Sequence, residues 1–135
     1  MKPIIIFLLL LLPLTLFADA DKQKKWSTLS ERNVFTVEVF PKAGEYSIGD
    51  YHQWLVVVQD LVGKPVENAQ IAISGGMVGH GHGMPSQPVI SRYLGNGQYL
   101  IDGMLFNMMG EWTLLFNIQT SISKDRARFD IELTF

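Results

Sequence analysis

The last segment of the chain constrains the fold more than any other part of the sequence, because it alternates strictly between apolar and polar residues. Its apolar positions are Ala127, Phe129, Ile131, Leu133 and Phe135. Arginine, aspartate, glutamate and threonine occupy the positions between them. Successive side chains of a strand point to opposite faces, so a slip of one residue would bury these polar groups. The pattern therefore predicts a strand with one face packed on an apolar core.

The same period of two recurs in earlier segments, which predicts further strands. The alternating apolar positions there are Phe35, Val37 and Val39, then Trp54, Val56 and Val58, and later Trp112, Leu114, Phe116 and Ile118. Asn96-Gly97 lies between two such segments and indicates a tight hairpin, because both residues accept a positive φ. We expect an all-β fold, an immunoglobulin-like antiparallel β-sandwich of about seven strands. A small closed barrel is the alternative.

Residues 1–20 have the pattern of a cleavable signal peptide, with Lys2 before an uncharged stretch and small residues at Ala18 and Ala20. The uncharged stretch, residues 4–17, is shorter than the roughly 18 residues that span a bilayer. A retained membrane anchor stays open as the alternative. Residues 21–33 are polar and predict an N-terminal extension, and residues 34–135 predict a single domain. The expected location is periplasmic or secreted, with no stable membrane insertion after signal cleavage.

The composition disfavours several classes of protein. The chain has no cysteine, so neither a disulfide framework nor a thiol-linked lipid anchor is expected. Its net charge of −2 gives no electrostatic reason to expect a nucleic-acid partner. Ser86 and Ser91 have no identifiable base and orienting carboxylate. We therefore expect neither enzymatic activity nor catalytic residues.

Residues 75–84 are the segment whose composition points to chemistry, because they combine five glycines with histidine and methionine. Imidazole and thioether side chains together suit copper: the soft thioether favours Cu(I), and imidazole binds either oxidation state. In an extended segment, His80 and His82 would project to the same side. The predicted metal ligands are His80, His82, Met84 and Met108, with Met77 and Met109 as weaker candidates.

Other interpretations of these residues remain open. The two histidines are also compatible with a solvated glycine loop, and methionine commonly fills gaps in cores, as we expect for Met104. Zinc is disfavoured, because two histidines without a further strong ligand do not complete a usual zinc site. The sequence thus supports two functions: a copper-binding protein, or a cell-envelope protein-interaction module that binds no metal.

Four motifs resemble the YtkA-like/FixH-like family of small exported bacterial domains over residues 34–135. They are Gly63-Lys64-Pro65-Val66, His82-Gly83-Met84-Pro85, Tyr93-Leu94-Gly95-Asn96-Gly97-Gln98-Tyr99, and the alternating Phe106, Met108, Gly110 and Trp112. The resemblance implies an immunoglobulin-like sandwich outside the cytoplasm, acting in copper handling or respiratory oxidase maturation. It also implies a copper-trafficking or oxidase-assembly protein as partner.

The resemblance supports His82, Met84 and Met108 as ligands, because they occupy positions of the family motifs. His80 is predicted only from its two-residue spacing to His82. The chain departs from FixH proteins in its N-terminus, which looks cleavable rather than membrane-spanning. This departure weakens the implied place in a membrane oxidase-assembly complex.

Overall fold

The computed structural model describes residues 23–134, and this part of the chain forms nine strands and one short 3-10 helix. The strands are β1 (Trp26–Leu29), β2 (Thr36–Pro41), β3 (Tyr51–Gln59), β4 (Gln70–Met77), β5 (His82–Gly83), β6 (Val89–Gly95), β7 (Gln98–Leu105), β8 (Gly110–Gln119) and β9 (Lys124–Leu133). The 3-10 helix, Val78–His80, lies between β4 and β5.

The strands divide into two antiparallel sheets, which confirms the predicted sandwich over the alternative of one closed sheet. One sheet has the order β1-β2-β3-β7-β6 and the other the order β5-β4-β8-β9. The order β2-β3-β7-β6 corresponds to strands A, B, E and D of an immunoglobulin domain. The order β9-β8-β4-β5 corresponds to strands G, F, C and C′. The predicted immunoglobulin-like arrangement is therefore present.

The described part of the chain has two strands more than the expected seven, and each has a local cause. β5 is a two-residue strand that pairs with the glycine-rich end of β4. β1 lies inside the segment predicted as a polar extension and pairs with β2 along its whole length. Trp26 of β1 stacks on Trp54 with ring centroids 5.4 Å apart. The extension is polar because β1 is an edge strand that buries neither face fully.

The core is made by the inward positions that the alternation predicts. Trp54, Val56 and Val58 of β3 are fully buried. The fully buried residues of β8 are Trp112, Leu114, Phe116 and Ile118. In β9 the odd-numbered residues 125–133 are buried and the even-numbered residues 124–132 are exposed. The register of this last strand is thus the one that hydrophobic burial requires.

The connections between strands fall at two ends of the sandwich. The pairs Thr36↔Gln59 and Gln70↔Gln119 place residues 30–35, 60–69, 95–97 and 120–123 at one end. Residues 42–50, 78–88 and 106–109 lie at the opposite end, which we call the His/Met end. The predicted hairpin is present in the first group, with φ of 51° at Asn96 and 72° at Gly97. A side chain at position 97 would overlap the carbonyl oxygen of Val58, so this turn also needs glycine for close packing.

The predicted signal peptide, residues 1–20, lies outside the described residues, as does Phe135. Between residues 23 and 134 the structure has no helix with the length and apolar character needed to cross a membrane.

Candidate metal site

Two glycines of the predicted site serve the packing of the sheet. A Cβ atom at Gly75 would overlap the carbonyl oxygen of Thr113 and lie 3.2 Å from the Cα of Leu114. A Cβ atom at Gly76 would overlap the carbonyl oxygen of His82. The end of β4 can therefore approach both β8 and β5 only without side chains here. This close approach brings the histidine segment against the end of β8.

The two histidines of this segment lie close together, although not in the extended conformation that the spacing suggested. His80 ends the 3-10 helix, Gly81 follows with φ of 69°, and His82 begins β5. The left-handed conformation at Gly81 reverses the chain, which an extended segment would not do. Both side chains are exposed, and their ring centroids are 6.0 Å apart.

The distance between the two ring centres lies in the range of two imidazoles on one ion, and Nδ1 of His82 lies 3.1 Å from the carbonyl oxygen of Gly83, which leaves Nε2 of this ring as the possible ligand. An imidazole nitrogen binds a metal at about 2.0 Å, which places the ring centre about 3.2 Å from the ion. Two imidazoles on one ion, at angles from tetrahedral to linear, then have centres about 5 to 6.4 Å apart. The observed 6.0 Å between His80 and His82 falls within this interval.

The two methionines nearest in sequence differ in their environment. Met77 is only 1% exposed and belongs to the core. Its Cε atom lies 3.1 Å from where a side chain at Gly110 would begin. Met84 is half-buried and packs against the core, with its N–H donating to the carbonyl oxygen of Gly75. The structure thus leaves Met84, but not Met77, at the surface near the histidines.

Met108 and Met109 lie between β7 and β8 and are 40% and 44% exposed. Trp112 connects Met108 to the histidine segment. Its Nε1 donates a 3.0 Å hydrogen bond to the carbonyl oxygen of Met108, and its ring meets the ring of His82 edge-on at 6.2 Å. Trp112 therefore holds the Met108 connection and the His82 strand at the same end of the sandwich.

Two acidic residues beside His80 could not be predicted from any pattern in the sequence. Glu111 and Glu132 are exposed, stand opposite each other in the β8–β9 ladder, and line a cleft together with His80. Only the register of β8 against β9 brings them together. In the part of the chain that the structure describes, no three side chains drawn from His, Cys, Asp and Glu are placed to hold a metal ion.

Further along the same ladder, charge is locally compensated. The hydrogen bonds from Arg128 and then from Thr113 lower the pKa of Asp130, and Arg128 lies 3.0 Å from this carboxylate. Val78 and Gly79 of the histidine segment, together with Arg128 and Asp130, line a cleft over this pair. The positive charge of Arg128 is thus paired with the carboxylate of Asp130.

These features define the class of the protein: a small antiparallel β-sandwich domain with an exposed histidine and methionine cluster at one end. A family model described as YtkA-like matches residues 31–115, more than half of the chain, and the protein belongs to this family. The matched region includes every candidate ligand. No curated protein and no solved structure matches the chain. The match names the YtkA-like family, and the FixH-like part of the resemblance stays a prediction.

Proposed function

We propose that this protein is an exported, non-enzymatic copper-binding protein whose site is formed by His80, His82, Met84 and Met108. The observation that carries the proposal is the pair of exposed imidazole rings, 6.0 Å apart, beside the connection that bears Met108. The proposed role is to hold or pass copper, in copper handling or in respiratory oxidase maturation. The proposed partner is a copper-trafficking or oxidase-assembly protein.

The chemistry of the donors supports copper over other metals. Thioethers are soft donors that favour Cu(I), and neutral imidazole binds Cu(I) and Cu(II) alike. Carboxylate-rich sites suit Mg²⁺ and Ca²⁺, and a usual zinc site needs more nitrogen or thiolate donors. Export is supported by the signal-peptide pattern of residues 1–20, and the oxidase connection by the family resemblance.

A serine, a histidine and an aspartate meet in the structure, but they are not arranged as a hydrolytic triad. The hydroxyl of Ser47 lies 3.2 Å from Nε2 of His52 and 2.7 Å from the Asp50 carboxylate. In a hydrolytic triad the carboxylate binds the other imidazole nitrogen and orients the ring. Here Asp50 accepts a hydrogen bond from the serine instead, and Nδ1 of His52 has no hydrogen-bond partner in the part of the chain that the structure describes.

Copper should stabilise the protein, and thermal unfolding tests this. A ligand at about 100 times its dissociation constant adds about 2.7 kcal/mol to the unfolding free energy. At about 4 °C per kcal/mol for a domain of this size, Tm should rise by about 10 °C. The double variant His80→Ala/His82→Ala should lose this increase, because it lacks both proposed imidazole ligands. It should still fold, since both side chains are exposed and contribute little to stability. His52→Gln is the matched control and should retain the increase.

A second pair of variants tests the thioether donors. Met108→Ala should weaken Cu(I) binding, whereas Met109→Ala, at a neighbouring and similarly exposed position, should have a smaller effect. An unchanged Tm of the wild-type protein with Cu(I) and Cu(II), or equal increases in the wild type and the double histidine variant, would contradict the proposed site.

The exposed apolar residues of the His/Met end favour one alternative, a protein-interaction module without metal. Val78 is 75% exposed, and Met108 and Met109 add apolar surface from the neighbouring connection. Methionine surfaces adapt readily to protein partners. A wild-type protein that shows no stabilisation by copper would favour this alternative.

A further inference from the structure

His52, the histidine outside the candidate site, accepts a hydrogen bond from the loop between β2 and β3. It lies on β3 opposite Met104, where the β3–β7 register is irregular. Its Nε2 accepts a 2.9 Å hydrogen bond from the backbone N–H of Ser47. Its Nδ1 is buried and has no hydrogen-bond partner among residues 23–134.

This arrangement requires a neutral imidazole. A backbone N–H can only donate, so Nε2 must carry a lone pair and the ring proton must be on Nδ1. In the imidazolium both nitrogens carry protons and neither can accept. Protonation of His52 therefore breaks the hydrogen bond from Ser47.

The loop that His52 holds is attached to the rest of the His/Met end at a second point. Gly49 donates a 2.8 Å backbone hydrogen bond to the carbonyl oxygen of Phe106, where the β7–β8 connection begins. Residues 42–50 are thus held by His52 and by this connection, and also by Tyr46, whose hydroxyl exchanges hydrogen bonds with the backbone of Thr134 and whose ring packs beside Trp54. We propose that His52 is a pH-sensitive latch on this loop, which accepts the hydrogen bond from the Ser47 backbone N–H when neutral and exchanges it for a contact with the Ser47 hydroxyl when protonated.

The charged groups around His52 supply an alternative arrangement for the protonated ring. Asp50 accepts a hydrogen bond from the hydroxyl of Ser47, and this hydroxyl lies 3.2 Å from Nε2. Once protonated, Nε2 can donate to the hydroxyl oxygen, with the Asp50 carboxylate next to it. Lys42, Glu45 and Tyr51 line the same cleft. From the neighbouring strand β7, Asp102 is engaged by Gln53 at 2.7 Å.

The latch lies beside the candidate metal site but does not depend on it. It concerns the loop and the β7–β8 connection, and it holds whether or not the His/Met end binds copper.

An NMR titration of residues 21–135, which contain every described element, tests the latch. Between about pH 8 and about pH 5, the range in which imidazoles ordinarily take up a proton, the amide resonances of Ser47 and Gly49 should shift. Their midpoint should coincide with that of the His52 ring resonances in the same sample. In His52→Gln these amide shifts should disappear, because the glutamine side chain offers an acceptor that does not titrate. The control His80→Gln/His82→Gln should keep them.

The comparison within the wild-type sample keeps the test decisive if His52→Gln folds poorly. Ser47 and Gly49 amides that do not respond while the His52 ring titrates would overturn the proposal. So would a midpoint in the range of carboxylates, which would assign the change to Asp50, or shifts that persist in a folded His52→Gln protein.

Discussion

The substitution Asp125→Asn removes a buried carboxylate that ties the turn after β1 to β9. Its oxygens accept hydrogen bonds from the backbone N–H groups of Arg32 at 3.0 Å, Val34 at 3.4 Å and Arg126 at 2.9 Å. Only 2% of the side chain is exposed, so solvent screens these interactions little. Asparagine keeps one acceptor oxygen but turns an NH₂ group toward some of these donors. We expect the variant to unfold more easily and to lose an acid-sensitive contribution to stability.

The magnitude follows from the pKa of Asp125. Burial raises this pKa, but the hydrogen bonds from Ser30 and from three backbone N–H groups outweigh burial and bring it to about 2, below the ordinary 3.8. A carboxyl whose pKa is lower in the folded protein stabilises the fold above its unfolded pKa, and this stabilisation is lost as the pH falls through the folded pKa. At about 1.4 kcal/mol per pH unit, the difference corresponds to roughly 2 kcal/mol.

Urea unfolding across the acid range measures this contribution. In the wild-type protein, about 2 kcal/mol of unfolding free energy should be lost between about pH 4 and about pH 2 beyond the loss in Asp125→Asn. Asp130→Asn is the matched control. Its side chain is 62% exposed and pairs with a surface arginine, so its effect should stay below about 1 kcal/mol. Parallel pH profiles for the wild type and Asp125→Asn, or a larger effect at Asp130, would refute the reasoning.

Two further substitutions test how the sandwich supports the His/Met end. Gly75→Ala should lower the unfolding free energy by about 1–3 kcal/mol in urea titrations, because the new methyl group overlaps the carbonyl oxygen of Thr113. Gly79→Ala is its control, since apart from the adjoining backbone no atom of residues 23–134 lies within 4 Å of the new Cβ, and a loss equal to that of Gly75→Ala would contradict the packing argument. Met77→Ala should cost about 2–5 kcal/mol, as expected for a fully buried side chain. Met108→Ala should change the unfolding free energy by less than about 0.5 kcal/mol, and comparable losses in these two methionine variants would contradict their burial.

The sequence could predict which donor residues the candidate site contains, but not how they are arranged. The composition of residues 75–84 indicates donors for a soft metal, because imidazole and thioether chemistry does not depend on the fold. The distance between His80 and His82 depends on the left-handed conformation at Gly81, which the two-residue spacing does not reveal. The sequence also did not predict that Met77 is buried whereas Met84 is only half-buried. Both lie in one short segment, but only one of them is on the inner face of β4.

The sequence by itself determined that the chain has an all-β fold and set which face of its strongest strands is buried. Alternation places Phe129 and Trp112 inward because a shift of one residue would expose the apolar face and bury the charged one. The Asn96-Gly97 turn is equally local, since it depends on the conformations that these two residues accept.

The tertiary structure alone decided what surrounds the His/Met end. Trp112 contacts the ring of His82, which lies far away in the chain, because the pairing of β4 with β8 brings the two segments together. Likewise, Asp125 of β9 meets the backbone N–H of Arg32 only in the folded sandwich. Contacts between segments far apart in the chain depend on how the two sheets pack, and no period within a single strand encodes them. The strands could therefore be predicted from the residues, whereas the contact of His82 with Trp112 was set by the packing of the whole sandwich.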